Sequence, residues 1–96
     1  MILKDVKDRL TAILRDHYTF DDYEFNDLFM ERTVRDIDMD SIALLELFLV
    51  VEEGFNLSVK ISSRIDMDTA LDLSMKQFID LLAMEVFKIY REATSS

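Results

Sequence analysis

The chain has 96 residues, half of them hydrophobic, with one glycine, no proline, no cysteine and a formal net charge of −9. That length supports one small domain burying roughly 60–65% of its unfolded surface, and the apolar share excludes a wholly disordered chain. The acidity speaks against nucleic acid and anionic membranes as partners, because both are held by Lys and Arg, and it favours basic protein surfaces. Without cysteine there is no disulfide and no thiolate site. Residues 1–5 lack a signal peptide's apolar run, and no apolar stretch approaches the ~18 residues of a membrane span. The expectation is a cytoplasmic monomer without a membrane span. Few chain breakers favour helices over a turn-rich β fold.

Leu3, Val6, Leu10, Ile13 and Leu14 follow helical spacing and predict a first amphipathic helix over about residues 2–16. The connection 17–35 is rich in aromatics (Tyr18, Phe20, Tyr23, Phe25, Phe29). A structureless loop of that length is uncommon in so small a domain. The i, i+3, i+4 spacing of Phe25, Leu28 and Phe29 therefore predicts a short helix near 22–31. His17, the one histidine, reads as a loop or helix-end residue.

A second long helix is expected from Ser41 to about residue 53, with Asp40 as N-cap and Gly54 ending it in a left-handed conformation. Leu57, Val59 and Ile61 alternate through the connection 55–65, which reads as extended across the end of the bundle. A short helix near 68–73 follows. Ser74-Met75-Lys76-Gln77 is a capping box opening the last helix, whose buried face is Met75, Phe78, Ile79, Leu82, Val86 and Ile89. Residues 1–92 form the single domain and 93–96 a frayed tail. The fold class is all-α: a four-helix bundle of three longer helices and one short one, with a long first connection.

Ser41 opens a helix inside a segment without positive charge. Between Arg35 and Lys60 stand six acids (Asp36, Asp38, Asp40, Glu46, Glu52, Glu53) and no Lys or Arg. Taken alone, such a serine is a helix-cap residue. No nucleophile-elbow motif accompanies it, and a Ser-His-Asp triad would have to recruit His17 from another segment. Counting from Asp36, an EF-hand would need Gly where Ser41 stands and Glu where Leu47 stands, so no calcium loop is expected and no metal site is assigned. Helix 41–53 carries eight apolar residues in ten positions, more than one buried stripe needs. Either it is buried on most sides, or part of its apolar surface faces outward. Leu47, Val51 and Phe55 form the row suited to the core.

Asp36-Ile37-Asp38-Met39-Asp40-Ser41-Ile42-Ala43-Leu44-Leu45-Glu46-Leu47, followed by Glu52-Glu53-Gly54-Phe55, resembles the signature of the acyl carrier protein family, D-L-G-x-D-S-L-x-x-V-E-L and E-E-x-F. The resemblance implies that Ser41 carries a covalent 4′-phosphopantetheine arm taken from coenzyme A. The arm's thiol then holds acyl groups as thioesters, and the chain is a shuttle rather than an enzyme, with no catalytic residue of its own. Implied partners are a phosphopantetheinyl transferase and acyl-loading, condensing or acyl-transfer enzymes with basic docking surfaces. They would be met by Asp40, Ile42, Leu45, Glu46, Glu52 and Glu53, with Ile42 and Leu45 near the surface; Glu92, in the tail, reads as remote from that face. The departures are Asp38 in place of the family glycine, Thr33 near a usually apolar position, no Ile-Pro step in 55–65 and an extended first connection. They favour a specialised lipid or polyketide-type pathway over housekeeping fatty acid biosynthesis. The alternatives are a peptidyl or aminoacyl carrier, whose usual Gly-Gly pair is absent, and an unmodified acidic helical interaction module.

Overall fold

Residue 3 opens the first helix of the computed structural model, which describes residues 2–20, 22–37 and 40–94. Among these the chain is all-α: α1 (Leu3–Phe20), α2 (Asp27–Glu31), α3 (Val34–Ile37), α4 (Ser41–Gly54), a single 3-10 turn (Ile61–Ser63), α5 (Met67–Leu71) and α6 (Met75–Thr94). The short helix expected near 22–31 is present as α2 and that near 68–73 as α5, and the first connection adds a further short helix, α3, so the bundle has three short helices rather than one. The departure at Asp38 falls outside the described residues. The last helix runs on through Ala93 and Thr94, positions expected to fray.

Helix α1 runs four residues past the end its apolar spacing suggested. Val6, Leu10, Leu14 and Tyr18 form one fully buried i, i+4 row, so the core claims a residue beyond the predicted end. Leu3, expected inside, is exposed. The helix stops in a Schellman motif: the Tyr23 N–H donates to the Tyr18 carbonyl (2.9 Å), the Asp22 N–H to that of Thr19 (3.0 Å), and Asp22 takes φ 67°.

The same motif ends α4, and it corrects the expected role of Gly54. The Leu57 N–H donates to the Glu52 carbonyl (2.9 Å), the Asn56 N–H to that of Glu53 (3.2 Å), and Asn56 holds the left-handed position at φ 53°. Gly54 is the last helical residue and has no positive φ. Its smallness serves packing instead, since a Cβ there would lie 2.6 Å from Ile13 Cδ1. Gly54→Ala is expected to change stability by less than about 1 kcal/mol. The helix-propensity gain of ~1 kcal/mol is offset by turning one terminal methyl aside. Gly54→Leu is expected to cost about 1–3 kcal/mol by overpacking. Urea denaturation of the two variants checks this, and a large loss in the alanine variant would mean that Ile13 cannot move.

The starts of α2, α5 and α6 each have a local cause. Asn26 Oδ1 accepts the Phe29 N–H (3.0 Å) at α2, and Asp66 Oδ2 accepts the Thr69 N–H (3.2 Å) at α5. The predicted capping box is present: Ser74 Oγ accepts the Gln77 N–H (3.2 Å) and Gln77 Oε1 the Ser74 N–H (3.1 Å). Residues 55–65 do not form an extended run. Ile61 and Ile65 are buried around the 3-10 turn, while Val59 is left at the surface.

The core lies where α1 packs on α6 and α4, with α2 on α6, and α3 and α4 on α5. All six expected residues of α6 are buried, joined by Ala83. Thr33 pairs with Ser74 in an isolated antiparallel bridge, in which the Val34 N–H meets the Leu73 carbonyl (2.8 Å) and the Met75 N–H that of Arg32 (2.7 Å). A threonine suits a position that ties the first connection to the start of α6. Arg64 fastens the connection 55–65 to α6: Nε meets Glu85 (3.1 Å) and Nη1 meets Glu92 (2.8 Å). The hydrogen bonds it donates to Glu85 and then Glu92 hold its guanidinium above the ordinary arginine value. Glu92 is thus an ion-paired residue of α6 rather than a tail acid.

Candidate functional site at the start of helix α4

Ser41 is exposed and is the first residue of α4. Asp40 caps the helix in extended backbone (φ −145°, ψ 173°), its Oδ1 accepting the Ala43 N–H at 2.9 Å. First-turn amides have no carbonyl partner within the helix and, with the helix dipole, favour a negatively charged substituent.

The core side of α4 is Leu44, Leu47, Phe48 and Val51, continued by Phe55, all buried. The predicted Leu47–Val51–Phe55 row therefore lies inside, and burial on most sides does not hold. Three large apolar residues face water: Ile42 (68% exposed), Leu45 (42%) and Leu49 (53%). At 100° per residue, Ile42, Leu45, Glu46, Leu49 and Glu53 fall within an arc of roughly 100°. Leu49 was not singled out in the sequence, although its spacing of i+7 from Ile42 and i+4 from Leu45 marks it. Glu52 does not join this face. It is half-buried, and its Oε2 accepts the Ile61 N–H (2.9 Å), fastening α4 to the following connection.

No basic residue interrupts the acids along α4, and Arg35, just before it, is engaged by Asp72 at 2.9 Å. His17 lines a groove with Val50, Glu53 and Gly54, at least nine residues along α4 from Ser41. Nine residues correspond to about 13 Å of helix rise, so Ser41 and His17 do not form a catalytic pair. A cavity of about 190 Å³ opens beside the apolar stripe, lined by Leu45, Phe48, Leu49, Glu52, Lys60 and Ser62. Among the described residues no cluster of three His, Cys, Asp or Glu is placed to hold a metal ion, and no helix is long and apolar enough to cross a membrane. The chain matches no protein-family model, no curated protein and no solved structure.

Proposed function

We propose that this chain is a carrier protein of the acyl-carrier type, modified at Ser41 with 4′-phosphopantetheine and serving a specialised lipid or polyketide-type pathway. The observation that carries the reading is the exposed Ser41 hydroxyl at the Asp40-capped start of α4, beside an uncovered stripe of Ile42, Leu45 and Leu49 flanked by Glu46 and Glu53. The long α1, α4 and α6 with the short α5 suit an acyl-carrier-like bundle in which α2 and α3 elaborate the first connection.

The residues fit the arm. Ser41 is open to solvent, and the helix start favours the negative charge of a phosphodiester. In the attachment step, on a transferase that supplies base and magnesium, Ser41 Oγ bonds to a phosphorus of coenzyme A's pyrophosphate. The P–O bond to the nucleotide breaks, and the serine proton passes to the transferase's base. The bound arm supplies the thiol on which acyl groups travel as thioesters. This chain's own residues position it: Ile42, Leu45 and Leu49 bury against the partner, Glu46 and Glu53 meet its Lys and Arg, and the cavity at Phe48 offers an apolar wall to a short acyl chain. Intact mass after incubation with coenzyme A, magnesium and a promiscuous transferase tests the reading. No gain in mass with several transferases would instead favour the unmodified interaction module built on the same stripe.

Charge on this face is expected to act on the encounter. Exposed ion pairs contribute about 0.2–1 kcal/mol each, and complementary potentials chiefly raise the association rate. Glu46→Lys is expected to slow initial modification of Ser41 about two- to fivefold at low salt, less at moderate salt, with little change in stability. Because Glu92 is ion-paired with Arg64, the comparison is Asp8→Lys, an exposed acid on α1 next to Arg9, whose guanidinium holds the Gly54 carbonyl at the far end of α4. Equal slowing by both reversals would make net charge, not this face, the cause.

A further inference from the structure

We propose that the groove between α1 and α4 is a second docking surface and takes a basic amphipathic segment of a partner protein. It holds about 540 Å³ and is lined by Ile13, Asp16, His17 and Phe20 of α1 and by Val50, Glu53 and Gly54 of α4. Phe20 stands 88% exposed at one end, and Ile13 and Val50 are half-buried along the wall. The absence of a side chain at Gly54 lets Ile13 approach α4 and shapes the groove between them. An exposed phenylalanine beside a concave apolar wall leaves contiguous apolar surface in water, which marks interaction sites.

Charge selects the occupant. Asp16 and Glu53 stand on opposite helices, and among the described residues no Lys or Arg lines the groove. Arg9, the nearby cation of α1, is held on the Gly54 carbonyl (2.8 Å) and over the Phe55 ring (5.4 Å). A second copy would bring the same two carboxylates and another −9 against the first. A neutral apolar ligand would cover the rim carboxylates without pairing them, which costs free energy. A helical segment with apolar residues at i, i+3 and i+4, flanked by Lys or Arg, satisfies wall and rim together. From Ile13 to Phe20 the helix rises about 10 Å, enough for roughly two turns of such a segment.

Val50 lies about 180° around α4 from Ser41, so a partner seated here leaves the serine accessible. The proposal does not depend on whether Ser41 carries an arm. Its failure leaves the carrier reading intact, and the reverse also holds.

The test is titration of the isotope-labelled full chain at low salt with a peptide of about four helical turns, Leu and Phe on one face and Lys and Arg flanking them. Amide shifts are expected to concentrate in residues 13–20 and 50–54. Phe20→Ala is expected to weaken binding about fivefold, and Asp16→Lys with Glu53→Lys about five- to tenfold. Asp8→Lys with Glu31→Lys, which changes net charge equally at exposed positions elsewhere, is expected to weaken it less than about twofold. The same peptide flanked by Glu should not bind. Shifts centred on Ile42, Leu45 and Leu49, equal losses in both double variants, or a dimer of the free chain that Phe20→Ala dissociates would each overturn the proposal.

Discussion

Ser41→Ala is expected to remove all attachment of phosphopantetheine while the wild-type chain gains a single arm, and the two proteins should unfold within about 1 kcal/mol of each other. The stability half of this expectation follows from the geometry. Ser41 is exposed, and the helix is capped by the Asp40 carboxylate on the Ala43 N–H, so the substitution leaves the cap in place. Alanine is also the better helix former at that position. Intact mass and a thermal melt read both halves. Two other serine hydroxyls are engaged elsewhere: Ser63 Oγ donates to the Lys60 carbonyl (2.7 Å) and Ser74 Oγ is the cap of α6. Modification that persists in Ser41→Ala would move the attachment to another side chain and end the reading built on α4.

Phe29→Ala is expected to lower stability by about 3–5 kcal/mol, the range for deleting a buried phenylalanine. Phe29 is buried, its ring 5.1 Å from Tyr18, 5.8 Å from Tyr23 and 5.1 Å from Phe25. This cluster joins the end of α1 to α2, and the Tyr23 hydroxyl reaches on to the Ile37 carbonyl (3.3 Å) at the end of α3. Loss of the ring should therefore raise amide exchange through residues 22–37 before the remainder opens. Leu28→Ala, one residue earlier and 74% exposed, is expected to cost less than about 0.5 kcal/mol. Similar losses in urea for the two variants would show that the cluster does not organise the connection.

Local chemistry made much of the fold readable. Helical spacing located α1, α4 and α6, because a helix that buries one face must repeat its apolar residues near 3.6. Asp40 and the Ser74–Gln77 pair marked helix starts, because each satisfies backbone donors within its own turn. The start of α4, and with it the position of Ser41, was legible for the same reason, as was the inward row of Leu47, Val51 and Phe55.

Tertiary packing decided the rest. Burial of Tyr18 against Phe29 extended α1 past its periodic signal, and the bridge at Thr33 and Ser74 gave order to a connection with little periodicity of its own. Gly54 read as a helix stop, but the left-handed residue is Asn56; only the approach of Ile13 shows what the glycine is for. Glu52 and Glu53 are adjacent and chemically alike, yet one is half-buried on the Ile61 N–H and the other borders an open groove. Sequence by itself determined the three long helices, the starts of α4 and α6 and the serine that opens α4, because those depend on periodicity within one helix and on neighbours within one turn. Which acids and apolar residues remain at the surface depends on segments distant along the chain, and only the packed structure brings those together.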